Sequence, residues 1–112
     1  MNSKLININQ ILKRHQSCIL AYGHFTTIHA GHIRYLKHAK SLGKTLIVAL
    51  KGDDTIEGRN KYAFSENERA EALSLLSIAD FILLIGKEKL KNIVKILNPK
   101  VVVLGKEFED PL

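Results

Sequence analysis

Two imidazoles three residues apart, with a glycine between them, are the most chemically capable group in this 112-residue chain: His29-Ala30-Gly31-His32. They close the run Gly23-His24-Phe25-Thr26-Thr27-Ile28. Ahead of that run, Cys18–Tyr22 is apolar and reads as a short buried strand; behind it, Ile33, Leu36 and the small Ala39 keep a helical period. The histidines therefore fall where a strand gives way to a helix, a turn whose backbone N–H groups and positive dipole end attract an anion. Gly31 removes a side chain where a phosphate would approach the backbone, and His29 and His32, at helical spacing, project from one face. Phosphoryl and nucleotidyl transfer ask a protein mainly for positioning and charge neutralisation, which two donors on one face can supply. With His24 nearby, the same residues could instead gather three imidazoles around zinc. A single cysteine and the lack of a carboxylate between the histidines leave such a cage little else to draw on. His15 and His38 read as structural or surface residues.

The elements that must position this turn alternate along the chain. Ile6 to His15 reads as a short leading helix. After the strand and the histidine-bearing helix, Gly43 is placed as a C-terminal cap, and Thr45–Leu50 is the most continuous apolar strand. A polar loop from Lys51 to Phe64 follows. Ser65-Glu66-Asn67-Glu68 is a capping box that starts a helix running through Leu73 and Leu76. Ala79–Ile85 is a third strand, Glu88–Leu97 a helix stopped by Asn98-Pro99, and Val101–Leu104 a fourth strand. Strands and helices in strict alternation, without linker or repeat, give a single α/β domain over residues 1–112, a Rossmann-like parallel sheet with helices on both faces. Right-handed crossovers would wind it, and ligands of such sheets lie beyond the carboxyl ends of the strands. The loops at 23–32, 51–61 and 105–109 converge there.

Composition bounds the function class. The chain has a hydrophobic fraction of 46%, a charged fraction of 25% and a net charge of +6, the balance of an ordinary globular domain with a bias toward anionic partners. Its lysines are scattered, aromatics make up 6% and tryptophan is missing, so the basic stripe with interleaved aromatics expected of a nucleic-acid module is not present. No apolar run approaches the ~20 residues of a membrane span, and the polar start Met1-Asn2-Ser3-Lys4 has no signal-peptide pattern, so the expected location is the cytoplasm. Cys18, alone in an apolar strand, reads as a buried and inert thiol.

The histidine run resembles the signature of the cytidylyltransferase-like nucleotidyltransferases, a His-x-Gly-His preceded by Gly-x-Phe-Asp. Gly23, Phe25, His29, Gly31 and His32 match it; Thr26 stands where most members carry aspartate and offers a hydroxyl in its place. The likeness covers nearly all of the chain from Lys4 onward. It is shared with the nucleotidyltransferase half of bacterial ADP-heptose synthases and with glycerol-3-phosphate cytidylyltransferases.

The resemblance implies a nucleotidyl transfer from ATP or CTP, with Mg²⁺, to a sugar-phosphate or polyol-phosphate acceptor. His29 and His32 would hold the α- and β-phosphates and stabilise the charge that builds during attack, within a phosphate-binding turn of Gly23, His24, Phe25, Thr26, Thr27 and Gly31. Asp53, with Asp54 beside it, could meet a ribose hydroxyl or a metal-bound water, or form an ordinary aspartate-rich turn. Arg59 and Lys61 match basic loop residues that reach the triphosphate in the family, or are solvated charges. Arg69 matches a family arginine on the following helix, and its guanidinium suits bidentate phosphate contact; four residues on stands Leu73, so no i, i+4 ion pair explains it. Gly105, Lys106 and Glu107 resemble the family loop that places the acceptor. Members continue into an Arg-Thr-x-Gly-Ile-Ser-Thr-Thr segment, and this sequence ends before it. The expectation is a truncated member that folds with one sheet edge open, binds nucleotide weakly and can associate as a homodimer. A non-catalytic nucleotide-binding or assembly domain, and a metal- or nucleic-acid-binding module, are the alternative readings.

Overall fold

Runs that are apolar at every position, not at alternate ones, mark strands buried on both faces, and three such runs build the centre of the molecule. A computed structural model describes residues 5–6, 17–25, 30–52, 65–86 and 90–104. In chain order its elements are β1 (Leu5–Ile6), β2 (Ile19–Gly23), α1 (Ala30–Ser41), β3 (Leu46–Lys51), α2 (Glu66–Leu75), β4 (Phe81–Ile85), α3 (Leu90–Leu97) and β5 (Val101–Leu104). The five strands form one parallel sheet in the order β1-β4-β3-β2-β5. From β2 the chain steps outward to β3 and β4, then returns to place β5 on the other side of β2. The strand order reverses there, so the switch point of the sheet lies between β2 and β5.

The pleat divides the core in two. Ile19, Ala21, Leu46, Val48, Leu50 and Ile82 point to the side covered by Leu36 and Ala39 of α1 and Ala70 and Leu73 of α2. Leu20, Tyr22, Ile47, Ala49, Leu83 and Ile85 point to the other side, against Ile93 and Leu97 of α3. The α/β sheet with helices on both faces is thus the architecture the alternating pattern predicts. Each described helix begins after the carboxyl end of a strand and runs back, so α1, α2 and α3 present their amino ends at one edge of the sheet.

Three differences from the sequence expectations have physical causes. Ile6 lies in β1, not at the start of a helix, and β1 pairs Leu5 with Ile82 and Ile6 with Leu83 to give a fifth strand. Two residues carry no periodicity, and only a non-local ladder makes them a strand. The rest of the expected leading helix lies outside the described residues. Gly43 is not a left-handed cap: the last turn of α1 closes by Leu42 N–H to Ala39 O at 3.1 Å and Gly43 N–H to Lys40 O at 3.4 Å. A Cβ at Gly43 would come within 2.8 Å of Ile19 Cγ1, so close approach of α1 to β2 requires the glycine. Ala79 and Asp80 precede β4: Asp80 N–H donates to Leu46 O at 2.9 Å, but the Leu46 N–H that a longer ladder would use goes to the Asp80 carboxylate, whose Oδ2 accepts it at 2.8 Å and also accepts from Lys40 Nζ at 2.5 Å. The expected N-cap forms, with Ser65 Oγ accepting from Glu68 N–H at 3.2 Å, and the Glu68 side chain meets the same hydroxyl, Oε1 accepting from Ser65 Oγ at 3.2 Å.

Candidate functional site

The segment Gly23-His24-Phe25 leaves β2 at the switch point, and its shape follows from one ring. Phe25 is a non-glycine residue at φ 50°, in the left-handed region, which costs about 1–2 kcal/mol. Its side chain is only 3% exposed, and burying a phenylalanine contributes about 1.5–3 kcal/mol, enough to hold the backbone there. The ring lies over Gly23, where a Cβ would sit 2.8 Å from Phe25 Cε2. That is the physical reason for the Gly-x-Phe spacing. The ring also stacks on Tyr35, with centroids 6.2 Å apart and planes 17° from parallel, and meets the His32 imidazole at 5.4 Å and 50°.

His32 and Gly31 occupy the first turn of α1, half-buried, beside that ring. Three residues on, Tyr35 turns its hydroxyl into the gap between β2 and β5. The hydroxyl accepts from Tyr22 N–H at 3.1 Å and lies 2.6 Å from Val103 O and 3.2 Å from Tyr22 O, to which it can donate. It joins the two strands at their carboxyl ends.

Arg69 stands in α2 and is 2% exposed, a buried cation that needs partners. Its Nη1 donates to His24 O at 2.8 Å and to Lys51 O at 2.7 Å. One guanidinium therefore ties the chain leaving β2 to the end of β3. The side chain of Lys51 reaches across so that Nζ lies 5.7 Å from the centroid of the Tyr22 ring, a cation–π distance. Gly52 N–H continues the β3–β4 pairing to Ile85 O at 2.7 Å.

The structure thus brings Gly23, His24, Phe25, Gly31, His32 and Arg69 to the carboxyl edge of the sheet. His29, Thr26, Thr27, Asp53, Asp54, Arg59, Lys61, Gly105, Lys106 and Glu107 lie outside the described residues. Tyr35 and Lys51 are the residues the sequence reading missed. The signal for Tyr35 was its place three residues after His32, on the same helix face. Cys18 is buried as expected, and burial pushes its thiol above the usual range, opposed in part by a backbone hydrogen bond. Among the described residues, no three His, Cys, Asp or Glu side chains gather as metal ligands, and no helix is long and apolar enough to cross a membrane.

Residues 20–111 match the cytidylyltransferase-like family. The chain belongs to that family. Its nucleotidyltransferase relatives include the bifunctional protein HldE of Campylobacter fetus subsp. fetus, 30% identical over 111 residues that cover 94% of this chain and 24% of the relative. An FAD synthase of Methanohalophilus mahii is 37% identical over 101 residues, covering 84% of this chain and 71% of that protein. Among solved structures, the lipopolysaccharide core biosynthesis protein of Thermoplasma volcanium superposes with a TM-score of 0.68 at 31% identity, over 79% of this chain and 73% of that one. The chain spans about a quarter of the length of the HldE proteins it matches. In this cytidylyltransferase-like domain, Gly31 and His32 stand at the amino end of α1 and within the residues that match the family.

Proposed function

We propose that the chain transfers a nucleotidyl group from ATP or CTP to a sugar-phosphate or polyol-phosphate acceptor. An oxygen of the acceptor attacks the α-phosphorus, a new P–O bond forms, and the bond to the β-phosphate bridging oxygen breaks, so that pyrophosphate leaves with the electron pair. The observation that carries this reading is Gly31 and His32 in the first turn of α1, following Phe25 just past the end of β2 beside the β2–β5 switch point, with the Phe25 ring against the His32 imidazole. Backbone N–H groups of α1 and the two imidazoles are the donors assigned to the phosphates. The names of two relatives support the reading, one a synthase of FAD and the other a lipopolysaccharide core biosynthesis protein. Mg²⁺ is proposed to arrive with the triphosphate and to neutralise its charge. The described residues form no cluster to hold it, and the roles given to the side chains do not depend on it.

Thr26 favours a second reading, nucleotide binding without turnover, because a hydroxyl replaces the carboxylate that most members carry. Pyrophosphate release measured with ATP and CTP against a panel of phosphorylated sugars and polyols separates the two. Release with one triphosphate and one acceptor class is the expected result, and tight triphosphate binding with no release for any pair would establish the second reading. His29→Ala and His32→Ala should each slow release by about 10²–10³-fold, the effect of losing one preorganised donor, while leaving the melting temperature within a few degrees. Unchanged rates in both would make the histidines structural.

A further inference from the structure

Tyr35 is engaged at both ends of its side chain, and both ends lead to the candidate site. Its ring stacks on Phe25, which also meets the His32 imidazole. Its hydroxyl accepts from the β2 donor Tyr22 N–H and faces the β5 acceptor Val103 O at 2.6 Å. Register pairs Ala21 with Val103 and Tyr22 with Leu104, so the hydroxyl stands at the last rungs of the β2–β5 ladder, where the sheet opens at its switch point. A phenylalanine would fill the same space on hydrophobic grounds. The half-buried phenol adds a polar tie that fixes where the first turn of α1 stands against the two strand ends.

We propose that Tyr35 is a positioning residue for His32. The hydroxyl pins α1 to the carboxyl ends of β2 and β5, and the ring backs Phe25, which in turn limits the orientations of the imidazole. The tie rests on the reading of His32 as a phosphate donor only for its consequence in catalysis; the coupling of Tyr35 to His32 is a property of the unliganded protein. An imidazole held in one orientation by packing needs no reorganisation when charge develops, and loosening it by a fraction of an ångström lowers the rate without removing the group.

The test compares Tyr35→Phe, which removes only the hydroxyl, with Tyr35→Leu, which removes the ring as well. The first readout is the imidazole carbon–proton signals of His32 in the unliganded protein, with the exposed His38 of the same helix as internal reference. The expected result is that the His32 signals move in Tyr35→Phe and move further or broaden in Tyr35→Leu, while His38 stays in place. A merely structural tyrosine would lower the melting temperature and leave the His32 signals unshifted, and that result overturns the proposal. Tyr35→Phe keeps the core filled, so the comparison stands even where Tyr35→Leu does not fold. The second readout is ATP and CTP titration, in which Tyr35→Phe should raise the dissociation constant about three- to tenfold, the range one hydrogen bond carries. If neither triphosphate perturbs His32 in the unsubstituted protein, the phosphate-donor reading fails, and the unliganded spectra alone decide the role of Tyr35.

Discussion

Arg69 illustrates how one side chain can be chemically correct for two jobs. Its guanidinium suits a phosphate, yet in the structure Nη1 is spent on two main-chain carbonyls, His24 O and Lys51 O, that belong to different strand ends. A cation in the opening turns of a helix also works against the helix dipole, so the position needs the compensation those charge-assisted bonds supply. Replacing it by methionine keeps most of the stem volume and leaves the two carbonyls without this donor. Arg69→Met should lower the unfolding free energy by about 1–3 kcal/mol, read from urea denaturation, and weaken triphosphate binding as the two loops loosen. Stability equal to that of the parent would show that the clamp contributes nothing. Cys18 gives a second prediction at this scale. Its thiol is raised because burial disfavours the thiolate, so the native chain resists ionisation that the unfolded chain accepts. The contribution is fully present below the ordinary thiol value and is lost as the pH rises through the raised one. Denaturation at pH 7 and at pH 10 should therefore show a loss of stability that Cys18→Ala reduces; an identical loss in the variant would assign it to other groups.

At the scale of elements, the two edges of the sheet are held by different means. The amino edge is locked by Asp80, whose Oδ2 takes Leu46 N–H and Lys40 Nζ, while Lys40 Nζ also donates to Lys44 O at 2.7 Å. These side chains are more than a third exposed, so the ion pair itself is worth little and the bond to Leu46 N–H carries most of the effect. Asp80→Ala should cost about 1–2 kcal/mol of stability and leave triphosphate affinity as it was, since the site is at the other edge. A change in affinity as large as that of His32→Ala would mean that the two edges are coupled through β3 and β4.

For the whole molecule, topology gathers helix amino ends and basic side chains at one edge, with the acidic Glu66 and Glu68 of the first turn of α2 among them. The amino ends of α1, α2 and α3 point there, together with Lys51, His32 and Arg69, in a chain whose net charge is +6. An anion bound at that edge should be released as salt rises, because exposed charges are screened over about 10 Å at 0.1 M ionic strength. ATP or CTP affinity is expected to fall between 50 mM and 500 mM NaCl, and less steeply when Lys51 is replaced by methionine. A flat dependence would place the triphosphate away from this edge.

What the residues determined on their own was local or periodic. The apolar runs marked β2, β3, β4 and β5, the spacing of Leu36 and Ala39 marked α1, Ser65 and Glu68 marked the start of α2, and Gly-x-Phe with His-x-Gly-His marked the family. Each of these signals is written in residues within one turn or one strand of each other, so no fold is needed to see it. Tertiary structure alone decided the rest. Leu5 and Ile6 are a strand because β4 lies beside them, and Gly43 is a glycine because Ile19 approaches. Arg69 reaches His24 O across 45 positions and Tyr35 reaches Val103 O across 68. Contacts at such separations leave no period in the sequence. They exist only once the sheet has placed β2 between β3 and β5 and brought the strand ends, with the loops they carry, to one edge.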